Sequence, residues 1–105
     1  MKSSNKTLEL IKVTVREIMP DAEVMLFGSR ARSDSHEYSD FDILIVTNQK
    51  LTPGEKLPIR THIRKTLLEK GILSDILIQN TQEIEKNKNL PGHIIRRILK
   101  DAVIL

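Results

Sequence analysis

The chain has 105 residues, no cysteine and no tryptophan, and its aromatics are Phe27, Tyr38 and Phe41 alone. Without cysteine there is no disulfide, no thiolate metal site and no thiol nucleophile. A cytoplasmic location is the simplest expectation. Three aromatics are too few for the stacking platforms that single-stranded nucleic acids use. The basic groups Arg60, Arg64, Lys65 and Arg96, Arg97, Lys100 are therefore read as solvated helix faces rather than a nucleic-acid surface. No apolar run approaches the roughly 18 residues of a membrane span, and no secretory signal pattern opens the chain. A soluble protein with no membrane partner is expected, built as one small domain over residues 1–105.

What the sequence does hold is an uneven distribution of charge. Lys and Arg number 17 against 14 Asp and Glu, for a formal net charge of +3. Yet residues 34–42 carry Asp34, Glu37, Asp40 and Asp42 with no Lys or Arg among them. This acidic stretch lies inside Met25–Val46, MLFGSRARSDSHEYSDFDILIV, which reads as strand, Gly-Ser turn, polar loop and second strand. Residues two apart on a strand share a face. Asp40 and Asp42 are thus expected to project together, with Phe41 turned into the core. Two carboxylates on one face repel unless one is protonated or a cation lies between them. A hard divalent ion such as Mg²⁺ takes oxygen ligands of this kind, together with substrate phosphates. Gly28 allows close backbone approach to a phosphate, and Ser29 adds a hydroxyl donor. No GxxxxGK[ST] pattern is present, so this is not a P-loop.

Read in order, Ser4 or Asn5 caps a first helix whose Leu8, Ile11, Val15 and Ile18 form one apolar face. Pro20 stops it. Val24–Phe27 is a short strand, Ser29–Arg32 a single helical turn, and 33–39 a loop. Phe41–Thr47 is near-continuously apolar beyond Asp42, as in a central strand covered on both faces. Thr52, Pro53 and Glu55 form a capping box and helix start, with Pro58 expected either to kink the helix or to delay it. That helix runs to Lys70 and ends at Gly71. Ile72–Gln79 is a third strand, interrupted only by Asp75. An unpaired carboxylate inside a sheet is costly, so Asp75 calls for an ion pair or a functional site. Asn80 and Glu83 cap a short helix, and Pro91 opens a last one. The sum is an α/β fold: three main strands in a small mixed sheet, with about four helices packed on it.

Gly28-Ser29, ten intervening residues, then Asp40-x-Asp42 entering Ile-Leu-Ile-Val closely resembles the signature of the nucleotidyltransferase fold of DNA polymerase beta and kanamycin nucleotidyltransferase. The flavour FGSRAR…SDFDILIV is most similar to the minimal nucleotidyltransferases (MNT) of prokaryotes. The resemblance implies transfer of a nucleoside monophosphate, AMP from ATP in first place, to a hydroxyl with release of pyrophosphate. It implies two Mg²⁺ ions, with Mn²⁺ able to substitute, held by Asp40, Asp42 and Asp75. Asp75 is the counterpart of the family's third carboxylate, which helps to activate the acceptor hydroxyl. Gly28, Ser29, Arg30 and Arg32 become the phosphate-binding set. For the two arginines a surface ion pair with Asp34 or Glu37 is an equal alternative. Tyr38 falls in the site loop, and His36, His62 and His93 receive no role.

Larger relatives complete the pocket with a second helical domain. Here a partner or a second copy of the chain is expected to supply it. Members of the minimal family pair with HEPN proteins as toxin–antitoxin systems, which implies a HEPN-type toxin as partner and one of its tyrosines as acceptor. Two rival readings stand beside this one: a module that neutralises its partner by contact with little catalysis, and a transferase acting on a small molecule such as an antibiotic. The intact Asp40, Asp42 and Asp75 argue against the first, and the short chain against the second.

Overall fold

The computed structural model describes residues 5–32 and 40–105. The expected cap at Ser4 and the loop at 33–39, with His36 and Tyr38, lie outside the described residues. Helix α1 spans Asn5–Ile18, and β1 spans Glu23–Phe27. The single turn α2 is Ser29–Arg32, and β2 is Phe41–Thr47. Then come α3 (Pro53–Glu69), β3 (Ser74–Asn80), α4 (Thr81–Asn87), α5 (Ile94–Asp101) and β4 (Val103–Ile104). No described helix is long and apolar enough to cross a membrane.

The sheet has the order β3-β2-β1-β4, with β2 parallel to β3 and β1 antiparallel to both its neighbours. This is the mixed sheet expected. Strand alternation divides its apolar side chains between two cores. Val24, Leu26, Phe41, Ile43, Ile45, Ile76 and Ile78 pack with Ile11 and Val15 of α1 and Ile63 and Leu67 of α3. On the other face Leu44 is buried with Ile95 and Ile98 of α5, flanked by Met25, Phe27, Val46 and Leu77. Ile43, Leu44 and Ile45 are each 0% exposed, so β2 is covered on both faces as its sequence predicts.

Three expectations need correction. The fourth strand was not foreseen. Val103 and Ile104 pair with Leu26 and Met25, and two residues are too few to show a period. The last helix begins at Ile94 rather than Pro91. Pro91 and Gly92 make a turn, with Gly92 at φ 78°, and His93 caps α5 by accepting from Ile95 N–H at 3.1 Å. His93 therefore has a structural role after all. The third strand starts at Ser74, because Ile72 is used to close α3: its N–H donates to the Leu67 carbonyl at 2.9 Å, beside Gly71 at φ 81°. The Thr52–Glu55 capping box forms, and α3 starts at Pro53 and runs through Pro58. Proline there leaves the Gly54 carbonyl without its helical donor.

Candidate active site

Three residues line up across the sheet at the end where β2 begins. Phe27 of β1 pairs with Asp42, and Asp42 pairs with Asp75 of β3. Paired residues on adjacent strands point to the same face, so Asp42 and Asp75 project side by side on the α5 face. Asp42 follows Phe41, which is 6% exposed and turned into the opposite core. Asp40 lies one residue before the strand and is exposed. The alternation thus puts Asp40, Asp42 and Asp75 at one end of β2 and β3.

Burial pushes the Asp42 carboxyl above its ordinary range, and the neighbouring Asp75 and Asp40 charges push it further. Arg32 pulls it back part of the way. Asp75 differs from its sequence reading. It is exposed, because β3 is an edge strand and not an interior one. The cost of burying an unpaired carboxylate therefore does not apply to it, and its place beside Asp42 is what ties it to the site.

The turn after β1 is pressed against Asp42. Gly28 has φ 75°, and a Cβ built on it would run into Asp42 Oδ2 and lie 3.1 Å from Cγ. Only glycine fits here, for two reasons: the backbone region and the space. The Gly28 carbonyl accepts from Ala31 and Arg32 N–H, each at 3.1 Å, and so winds the single turn of α2. The Ser29 and Arg30 amides open that turn beside the carboxylate row.

The two arginines diverge. The Arg30 guanidinium lies 4.3 Å from the centroid of the Phe41 ring, a side chain on the opposite face of β2 from Asp42. Arg32 Nη1 donates to Asp101 Oδ2 of α5 at 3.1 Å. Arg32 also lines a cleft of about 300 Å³ with Gly28, Phe27, Ile94, Arg97 and Asp101. Sequence reading had treated Arg97 as part of a solvated face. No local pattern could reveal that α5 packs beside the Gly28 turn.

Among the described residues no three His, Cys, Asp or Glu side chains stand together as a ready metal-binding group. The donors that the strands supply are nonetheless all carboxylate oxygens, the chemistry that Mg²⁺ and Mn²⁺ prefer. The burial and like charge that raise Asp42 are strains that a bound cation relieves. The residues present fit such an ion.

The profile of the family described as Nucleotidyltransferase domain matches residues 8–105. A Haemophilus influenzae protein named "Probable protein adenylyltransferase MntA" is 32% identical over 47 residues. That match covers 45% of this chain and 41% of the relative. The structure of a protein proposed to be a minimal nucleotidyltransferase superposes with a TM-score of 0.60 at 21% identity, covering 95% of this chain and 94% of the other. A chain from the complex of a tri-AMPylated Shewanella oneidensis HEPN toxin with MNT antitoxin gives a TM-score of 0.50 at 16% identity. That alignment covers 93% of this chain and 66% of the other.

Proposed function

This chain belongs to the nucleotidyltransferase domain family, and from that premise we propose that it moves AMP from ATP onto a tyrosine hydroxyl of a HEPN-type toxin, acting in the cytoplasm as its antitoxin. The observation that carries this reading is the row Gly28–Asp42–Asp75, in which a glycine-only turn touches one carboxylate of an adjacent pair. The adenylyltransferase name of the Haemophilus relative and the AMPylated toxin in the Shewanella complex support the choice of AMP and of a protein acceptor.

The chemistry follows from the placement of charge. The Gly28-Ser29 turn and the start of α2 offer backbone N–H groups to the phosphates. Asp75, exposed at the sheet edge, is accessible to an incoming hydroxyl. A tyrosine with an ordinary pKa near 10 is almost wholly protonated at neutral pH, and in this reading Asp75 accepts its proton. The phenolic oxygen bonds to the α-phosphorus. The bond from phosphorus to the bridging oxygen breaks, and pyrophosphate leaves with the electron pair. Asp40, Asp42 and Asp75 would hold divalent ions, which would supply positive charge to offset the negative charge that develops during transfer.

Intact-mass analysis of the partner after incubation with this protein, ATP and Mg²⁺ is the direct test. An AMP adduct on the partner, absent with Asp42→Asn, is the expected result. Tight neutralising binding with no adduct, unchanged by Asp42→Asn, would replace this reading with neutralisation by contact.

A further inference from the structure

We propose that the groove between α3 and the outer edge of β3 receives the segment of the acceptor protein that carries the reacting hydroxyl, and that Arg60 and Arg64 select acceptors with an aspartate or glutamate close to it. The inference rests on the nucleotidyl-transfer reading and deepens it by naming what makes one hydroxyl an acceptor and another not.

Leu57, Arg60, Thr61 and Arg64 follow at helical spacing, so they form one stripe along α3. The stripe meets Asp75 across a groove of about 190 Å³. Leu57 is 53% exposed and gives the groove an apolar end. Neither arginine has a counter-charge. No acid stands three or four residues from either one. At four apart they are each other's neighbours, a like-charge pair that disfavours the helix. Neither forms an ion pair with Asp75 or with any other described residue. Lys56 on the same helix, by contrast, is matched by Glu83 at 3.0 Å. Two guanidiniums left unmatched beside a reactive row are suited to a carboxylate from outside, which each can bind through two parallel N–H···O bonds.

The groove lies where an acceptor has to arrive. Asp42 pairs with Phe27, next to the Gly28 turn, on one side and with Asp75 on the other. Turn and groove are therefore on opposite sides of Asp42. In phosphoryl-type transfer the attacking and leaving oxygens stand roughly in line across phosphorus. With the phosphates at the turn, the hydroxyl comes from the Asp75 side. There β3 is the edge strand, and α3 is the one described helix that lines the groove. Size decides the kind of occupant. Sites for whole small molecules run from roughly 300 to 1,000 Å³, so this groove takes a side chain or two of a larger partner. Leu57 suits the apolar part of a peptide, whereas the bases of a nucleic acid find no aromatic among the lining residues.

The test is AMP transfer by the full chain, with ATP and Mg²⁺, to three synthetic peptides that differ only in the residues flanking a central tyrosine: glutamate, glutamine or lysine. Adduct mass over time gives kcat/KM for each. The wild type is expected to prefer glutamate over glutamine flanks about tenfold, the value of one charge-assisted contact. Arg60→Gln combined with Arg64→Gln should abolish the preference. Arg64→Glu, a single change at an exposed position, should turn it toward lysine flanks, and it decides the matter alone if melting curves show the double variant unfolded. Arg96→Gln, which removes an exposed charge on α5, should leave the preference as it was. Equal transfer to all three peptides by the wild type overturns the proposal while AMP transfer stands. A preference that survives the double variant overturns it too, as does one that falls equally in Arg96→Gln, an effect of overall charge. If the double variant loses binding to a labelled single-stranded RNA and keeps its peptide preference, the groove is a nucleic-acid contact and the proposal fails. No adduct on any peptide also overturns it. The intact-mass assay on the partner uses none of these peptides and then judges the parent reading separately.

Discussion

The two ends of β2 treat a carboxylate in opposite ways. At the end where the strand finishes, Asp21 accepts from Thr47 Oγ1 at 2.8 Å, Asn48 N–H at 3.0 Å and Gln49 Nε2 at 3.3 Å. The Asn48 backbone bond first, and then the Thr47 hydroxyl, hold its pKa below the ordinary value. Nearby, Glu83 completes the Asn80 capping box of α4 and takes Lys56 at 3.0 Å. At the end where β2 begins, burial and two neighbouring carboxylates push Asp42 the other way. One end is closed by partners within the chain, and at the other the buried Asp42 stands among like charges that raise it. An acidic group with satisfied hydrogen bonds fastens a fold. One raised by desolvation and like charge marks a candidate functional site.

The largest effect expected from breaking this contrast is that of Gly28→Ala. It forces an L-residue into φ 75° and drives a methyl into Asp42. Strain of this kind costs about 1–3 kcal/mol. A ligand at about 100 times its dissociation constant adds roughly 2.7 kcal/mol of stability, and Gly28→Ala should lose that gain as well. Thermal melts with and without ATP and Mg²⁺ read both changes. A variant that melts like the wild type and keeps its ligand shift would remove the turn from the site. Asp40 and Asp42 changed together to Asn should also abolish the shift, but without the backbone strain.

Next come two substitutions of opposite sign. A carboxyl whose folded pKa is raised binds its proton more tightly in the native state, so its contribution falls as pH rises through that value. Asp42→Asn should therefore raise the melting temperature at neutral pH, and the gain should shrink toward the ordinary carboxylate range. A carboxyl whose folded pKa is lowered contributes stability above its unfolded value and loses it as pH falls through the folded one. Asp21→Ala should cost about 1 kcal/mol at neutral pH, modest because the group is exposed, and progressively less in acid. Parallel pH series of urea melts would show two differences of opposite sign that both close toward low pH. Two curves of the same sign would erase the contrast.

How much of this was legible in the sequence depended on range. Both capping boxes, Thr52–Glu55 and Asn80–Glu83, are contained within four residues, and both form. Strand β2 showed itself through an apolar run that only a doubly covered strand needs. The facing of Asp42 away from Phe41 follows from pleating alone. What escaped is non-local. That β3 is an edge strand, and Asp75 therefore exposed, depends on strand order. The pairing of Val103 and Ile104 with β1 depends on where α5 delivers the chain. Asp21 drew no reading at all, because nothing nearby in sequence points to its bonds with Thr47, Asn48 and Gln49.

The smallest effect tests whether the contrast reaches one residue further. Ser74 opens β3 opposite Phe41 and is 6% exposed, and its Oγ has no hydrogen-bond partner among the described residues. It shares the α1/α3 face with Ile76 and Ile78, so it sits next to Asp75 in sequence but on the other side of the sheet. A buried hydroxyl without a partner loses its hydration for no return, whereas alanine keeps the backbone and drops the oxygen. Ser74→Ala should thus stabilise the fold by up to about 1 kcal/mol, less the small void that the lost oxygen leaves. Nucleotide transfer and the ATP-dependent melting shift should not change, because the side chain points away from the Asp42 row. A loss of about 1 kcal/mol instead would mean that the hydroxyl is hydrogen-bonded to solvent in the core, and Ser74 would then belong with the satisfied groups around Thr47. A fall in transfer with stability unchanged would place Ser74 in the site, and the division between the two faces at this end of β2 would have to be abandoned.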